Sequence, residues 1–199
     1  MQKPDVINSY YHVYARGNNK QQIFMEPADY DYFINLFGRY LSVKPSEDKT
    51  GVIYPHFYGK IELLAYCLMG NHFHLLLYQY EQSSMSHLMR SIMTSYSRYF
   101  NFKYNKTGSL YESTYKASII NSDSYLTHIS RYIHLNPRYW QRYKYSSIGY
   151  YLNGKEDEWL AKDKIDVLFD NVEDHKAFLE DYEDQKAVID ELKYELANQ

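Results

Sequence analysis

Two histidines one residue apart, His72 and His74, are the first candidates for chemistry in the 199-residue sequence. They begin the run His72-Phe73-His74-Leu75-Leu76-Leu77-Tyr78, whose aliphatic and aromatic residues predict a strand. Side chains two apart on a strand share a face, so the imidazoles are neighbours and Phe73 points the other way. Such a pair suits a divalent metal such as Mn, Zn, Ni or Co; it equally fits two histidines on a half-exposed face. A second set comes from residues 124–136. Helical spacing there puts Leu126, Ile129 and Ile133 on a core face, and His128, Tyr132 and Asn136 together on another. A tyrosine beside an amide oxygen, facing a histidine pair, would make a nucleophile-plus-metal site. The competing reading is one more packed tyrosine, with Asn136 ending the helix before Pro137.

These residues need elements to hold them. Residues 10–15 (YYHVYA) read as a strand that breaks at Arg16-Gly17-Asn18-Asn19. Pro27 opens a helix whose apolar positions are Tyr30, Phe33, Ile34, Phe37 and Leu41. Residues 43–51 form a polar loop. Residues 52–58 and 61–68 read as strands, and Met69-Gly70-Asn71 as a tight turn into the histidine strand. Met85, Leu88, Met89, Ile92, Met93, Tyr96 and Phe100 trace a helical stripe. Residues 116–120 suit a short strand, and Ser122 or Asp123 can cap the helix that Pro137 stops. From Asp174 onward, Phe178, Tyr182, Gln185, Ile189, Leu192 and Leu196 predict an acidic amphipathic helix. This order implies an α+β fold with helices packed on an antiparallel sheet.

Composition narrows the function classes. Apolar residues make up 45% and charged residues 24%, which argues for a folded chain. One cysteine, Cys67, excludes an internal disulfide framework and a CxxC zinc site. No apolar run is long enough for a membrane helix or a signal peptide, so the expected address is the cytoplasm. The net charge of −3 hides two halves: residues 1–150 carry 16 Lys+Arg and 10 Asp+Glu, whereas residues 151–199 carry 6 and 15. The first part is therefore mildly basic and compatible with a nucleic-acid partner, and the last part is strongly acidic. The boundary falls near Asn153-Gly154. The 25 tyrosines supply either core or flat faces for stacking bases.

Four stretches resemble the REP-associated tyrosine transposases, within the single-tyrosine HUH endonucleases. They are Tyr66-Cys67-Leu68-Met69-Gly70-Asn71-His72-Phe73-His74-Leu75-Leu76, the opening Tyr11-His12-Val13 through Arg16-Gly17-Asn18-Asn19 and Ile23-Phe24, the middle Tyr96-Ser97-Arg98-Tyr99-Phe100-Asn101 with Gly108-Ser109-Leu110-Tyr111, and Arg131-Tyr132-Ile133-His134-Leu135-Asn136-Pro137. Together they span about residues 8–150 in the family's order. Two departures are Gly70, where many relatives have proline, and the absence of an arginine just before Lys116.

The resemblance implies a ferredoxin-like (RRM-like) sheet with helices packed on one face over residues 1–153, followed by an acidic helical extension over 154–199. It implies a metal-dependent single-strand DNA endonuclease and strand transferase of bacterial, nucleoid-associated DNA. In this reading His72 and His74, completed by Asn136, hold Mg2+ or Mn2+. Tyr132 attacks a phosphodiester to give a 5′-phosphotyrosine, and the target is a hairpin or palindromic repeat. Arg16, Asn18, Asn19, Arg90, Tyr96, Arg98, Lys116, Arg131 and Arg138 are the expected DNA contacts. Tyr96 and Tyr99 are rival nucleophiles read as packing or DNA contacts. A monomer and a homodimer are both compatible with the family. The alternatives are a non-catalytic hairpin-binding protein derived from a transposase, and a metal-dependent hydrolase of small phosphate esters.

Overall fold

The computed structural model describes residues 4–181. Four strands alternate with helices: β1 (Ser9–Arg16), α1 (Pro27–Leu41), β2 (Ile61–Met69), β3 (His72–Gln79), α2 (Ser84–Lys103) and β4 (Lys116–Ile120). The strands form one sheet in the order β2-β3-β1-β4, every neighbouring pair antiparallel. This is the ferredoxin-like arrangement, and it brings the strand carrying the histidines to the centre beside β1. The helix α3 (Asp123–His134) follows, then α4 (Ile148–Leu152), α5 (Asp163–Asp166) and α6 (Val172–Glu180).

Strand alternation assigns each side chain to one of two cores. Tyr11, Val13 and Ala15 of β1 and Phe73, Leu75 and Leu77 of β3 bury against α1 and α2, with Phe33, Phe37, Leu88, Ile92 and Tyr96. The intervening positions face the other way. There Leu64, Ala65, Cys67 and Leu76 meet Leu126, Ile129 and Ile133 of α3, the helical face expected from the sequence. Each of these three α3 side chains is buried, which is worth about 2 kcal/mol apiece. Helices α1 and α2 thus cover one face as expected, and α3 adds a layer on the second. A register shift between Leu63 and Ala65 lets β2 place two consecutive residues, Leu64 and Ala65, in the second core.

One segment differs from the sequence-based expectation. Residues 52–58 form no strand: Pro55 lacks an N–H for a ladder, Val52 and Ile53 are exposed, and one bridge joins Glu47 to Ile53. The acidic segment packs against the rest of the chain as far as residue 181. Trp159 stacks near Phe37 and Tyr66, and Ile165 and Leu179 are fully buried. Of the helix expected from Asp174 onward, α6 holds the described part; Tyr182, Gln185, Ile189, Leu192 and Leu196 lie outside the described residues.

Candidate active site

Register places the site. In the β1–β3 ladder, Tyr14 lies opposite His74 and Arg16 opposite His72. His12, Tyr14, His72 and His74 therefore project from one face, the face that α3 crosses. The turn Gly70-Asn71 that starts β3 is clamped by the segment after β1. The Gly70 carbonyl accepts from the Ile23 and Phe24 N–H groups at 2.8 and 3.0 Å, and the Asn71 carbonyl accepts from Gly17 N–H at 2.8 Å. A Cβ at position 70 would lie 2.2 Å from Gln22 Oε1, so the end of that side chain would have to move aside. Opposite, Ser122 caps α3 by accepting from Tyr125 N–H, and the helix stops at His134. Tyr132 occupies its last turn and Asn136 lies just past its end.

The two sides meet. The His72 and His74 ring centroids are 5.1 Å apart. The Tyr132 ring stands edge-on to His74 at 5.2 Å and to His12 at 5.8 Å. Asn136 Oδ1 lies 3.2 Å from His72 Nε2. His74 Nδ1 pairs with His12 Nε2 at 2.9 Å, and His72 Nδ1 with Asn71 Oδ1 at 2.7 Å. Tyr14, Arg16, Glu112, Lys116 and Tyr132 join the two histidines around a cavity of about 370 Å³.

Burial sets the electrostatics. It pushes the His72 imidazole below its ordinary pKa, although the Asn136 hydrogen bond acts the other way. Burial, with the neighbouring imidazoles and Arg16, holds His74 far below its ordinary value. His12, fully buried, falls to about 3. All three rings are thus neutral, with lone pairs available, at physiological pH. Burial raises the Tyr132 pKa, opposed by the Asn136 hydrogen bond and the positive charge of Arg16. A buried phenol of this kind needs a cation beside it to ionise.

The donor set fits a divalent ion. Among the described residues no cluster of three or more His, Cys, Asp and Glu could hold one; beside the histidine pair stands the amide oxygen of Asn136. Two donors each about 2.1 Å from one ion and at right angles stand about 3.0 Å apart, close to the 3.2 Å between His72 Nε2 and Asn136 Oδ1.

Residues 58–136, which hold both halves of this site, match the family model of the IS200-like transposases. The fold of this chain is similar to that of a REP-associated tyrosine transposase solved bound to a REP hairpin, with a TM-score of 0.54 at 12% identity over 82% of this chain and 91% of that one. A structure described as a candidate transposase from Deinococcus radiodurans R1 aligns with a TM-score of 0.39 at 17% identity, over 67% of this chain and 95% of that one. No curated protein matches the chain. No helix among the described residues is long and apolar enough to cross a membrane.

The residues expected from the sequence divide by position. His72, His74, Tyr132, Asn136, Arg16 and Lys116 converge. Asn18 and Asn19 are exposed on the turn after β1, and Arg138 is exposed near the end of α3. Arg90 and Arg98 are exposed on α2 and line a separate groove of about 1060 Å³; Ser113 and Thr114 line both this groove and the histidine cavity. Two expected DNA contacts are corrected. Tyr96 is fully buried and donates its hydroxyl to the Ile23 carbonyl at 2.5 Å, because its place on the apolar stripe of α2 turns it into the first core. Arg131 is fully buried, its guanidinium 3.5 Å from the centroid of the Phe178 ring and donating to the Phe178 carbonyl. It fastens α6 to α3. As a rival nucleophile Tyr99 also falls away: it stacks on Tyr32 at 3.9 Å and donates to Asp29, on the face opposite the histidines. His128 packs toward Phe178 rather than toward the histidine pair.

Three site residues went unselected in the sequence. Tyr14 and His12 alternate with Tyr10 on β1, a pattern that marks one face, but their proximity to His74 depends on a register that only pairing fixes. Glu112 sits in a loop whose path has no sequence periodicity.

Proposed function

We propose that this chain is a metal-dependent endonuclease and strand transferase of single-stranded DNA, acting at hairpin or palindromic repeat sequences. The observation that carries the reading is the meeting of the two halves of the site: Asn136 Oδ1 lies 3.2 Å from His72 Nε2 and the Tyr132 ring stands 5.2 Å from the His74 ring. The REP hairpin held by the structural neighbour supports the choice of partner.

His72, His74 and Asn136 would hold Mg2+ or Mn2+. Bound there, the ion would draw charge from a non-bridging phosphate oxygen and from the leaving oxygen. Arg16 and Lys116 at the cavity wall hold the phosphate by charge. α3, fixed on the sheet by Leu126, Ile129 and Ile133, holds the Tyr132 oxygen for in-line attack. The Tyr132 O–P bond forms as the P–O3′ bond breaks. The phenolic proton passes to solvent, the 3′-oxygen leaves as a hydroxyl, and the 5′-phosphate remains on Tyr132. The phosphodiester is exchanged for a phosphotyrosine rather than hydrolysed, so the reverse attack by another 3′-hydroxyl joins strands.

Incubating the chain with a single-stranded hairpin oligonucleotide and Mn2+ tests this. An SDS-resistant protein–DNA adduct that a chelator prevents is expected, and Tyr132→Phe should abolish it while leaving hairpin binding close to wild type. An adduct formed by the Phe variant removes the nucleophile assignment. Binding with no adduct would identify a non-catalytic hairpin-binding protein, and turnover of a small phosphate ester instead would identify a hydrolase.

A further inference from the structure

Each histidine of the pair hands its Nδ1 to a neighbour that has no role in the reading above. The Asn71 side chain donates Nδ2–H to the Lys20 carbonyl at 3.3 Å. A carbonyl only accepts, so the orientation of the amide is set and its Oδ1 faces His72 Nδ1 at 2.7 Å. An amide oxygen has no proton to give, so the hydrogen in that bond sits on His72 Nδ1. A neutral imidazole carries one N–H. Its Nε2 therefore bears a lone pair, directed at Asn136 Oδ1 across 3.2 Å. Two acceptors facing each other at that distance repel; a divalent ion held by both relieves this, as does an Asn136 amide turned to present its Nδ2–H in the absence of metal.

His74 has the same arrangement with a different partner. Its Nδ1 lies 2.9 Å from Nε2 of His12, and the two rings stack at 5.1 Å and 17°. His12 is fully buried in the middle of β1, and its own Nδ1 has no partner. A single hydrogen joins the two facing nitrogens. When it sits on His74 Nδ1, the lone pair of His74 is on Nε2, the remaining ring nitrogen. His12 must then accept through Nε2 and keep its proton on Nδ1.

We propose that Asn71 and His12 are positioning residues: each accepts the Nδ1 proton of one histidine, so that His72 and His74 both turn an Nε2 lone pair toward a common divalent ion. The inference rests on the metal reading of the site. It explains why a histidine occupies a fully buried place on β1, where an apolar residue would pack at lower desolvation cost. It also explains why the tight turn carries an asparagine, whose amide can donate to Lys20 and accept from His72 at once.

The test uses the full chain. Long-range proton–nitrogen NMR on the metal-free wild type should find His72 in the Nδ1–H form, and Zn2+ should bring His74 to the same form. Mn2+ affinity, followed by electron paramagnetic resonance, should fall roughly 10- to 100-fold in Asn71→Leu and in His12→Phe. It should return toward wild type in Asn71→Asp and His12→Gln, which restore an acceptor oxygen. A merely structural role would not separate the Phe and Gln variants in this way. If His12→Phe fails to fold, the His74 tautomer in the wild type and the His12→Gln affinity decide. Wild-type Mn2+ binding with insensitive Asn71→Leu and His12→Phe variants, or an Nε2–H form of His72, overturns the positioning role alone. A wild type that does not bind Mn2+ overturns the metal reading and this inference together.

Discussion

Acid should loosen the helix that carries Tyr132 through two histidines outside the metal pair. His134, two residues after Tyr132, is fully buried and shares a 2.8 Å hydrogen bond with Ser147 Oγ. That oxygen already accepts from Tyr66 N–H and donates to the Tyr66 carbonyl, so His134 Nε2 is the donor. Its Nδ1 has no partner. His175 of α6 stacks on Phe169 at 4.0 Å, and its Nε2 has no partner either. Burial lowers His134 to about 3 and His175 to about 4 from an ordinary 6.5; the His175 charge adds to the shift at His134, and Asp174 acts the other way at His175. The unfolded chain takes up these two protons near pH 6.5 while the folded chain refuses them. Stability is therefore full above that pH and falls as pH drops toward the folded values. Each group contributes about 1.4 kcal/mol per pH unit within that window. Between pH 6.5 and 4.5 the loss is about 2.5 kcal/mol apiece, or about 5 kcal/mol for both, comparable to the whole stability of a marginal domain. Urea unfolding at pH 7.5 and 4.5 measures it. Carboxylates titrate too, so the comparison is with a His134→Gln/His175→Phe double variant, whose acid loss should be smaller by about that amount. Equal losses in the two proteins would refute the reasoning.

Metal binding should persist below pH 6.5, because both His72 and His74 are held below the ordinary imidazole value; a Mn2+-binding midpoint at or above pH 6.5 contradicts the burial argument. This moves the acid limit lower than the value near pH 6 that free imidazole chemistry suggests. Arg16→Ala and Lys116→Ala should each weaken single-strand binding and reduce the slope of log affinity against log salt by about 0.7, whereas Arg131→Gln should leave that slope alone and cost about 2 kcal/mol or more in unfolding measurements. Removing residues 155–199 should destabilise the chain by several kcal/mol, because Trp159, Leu160, Ile165 and Leu179 leave their sites. Removing only 182–199 and comparing DNA affinity against salt asks whether the acidic end competes with DNA: a higher affinity at low salt is expected if it does, and an unchanged one sinks that idea.

The sequence revealed those parts of the site that depend on local periodicity. His72 and His74 share a face because they are two apart on a strand, and Leu126, Ile129 and Ile133 define the core face of α3 because they recur at helical spacing. Both statements need only one element each. What the sequence could not carry is what lies across from an element. His12 reaches His74 only because β1 pairs with β3 in the register that sets Tyr14 opposite His74. Arg131 read as a surface cation because it stands beside Tyr132 in a basic stretch; its burial depends on α6 returning from 47 residues away to cover it. Residues 52–58 looked like a strand by composition, yet no neighbouring strand is available to them and Pro55 interrupts the ladder.

The same division explains how the fold makes a site at all. A β1-α1-β2-β3-α2-β4 sheet buries one face under its own two helices and leaves the other open. Here α3 closes much of that second face but stops at His134, where Leu135-Asn136-Pro137 turns away. The closure is therefore apolar along Leu126, Ile129 and Ile133 and becomes polar just where β1 and β3 present His12, Tyr14, His72 and His74. Extending α3 past Pro137 would carry Asn136 on around the helix instead of toward His72. Pro137→Ala should accordingly weaken the Asn136–His72 contact before it affects packing. Mn2+ affinity should drop with little change in the urea midpoint, and the reverse pattern would show that the proline serves the core instead of the site.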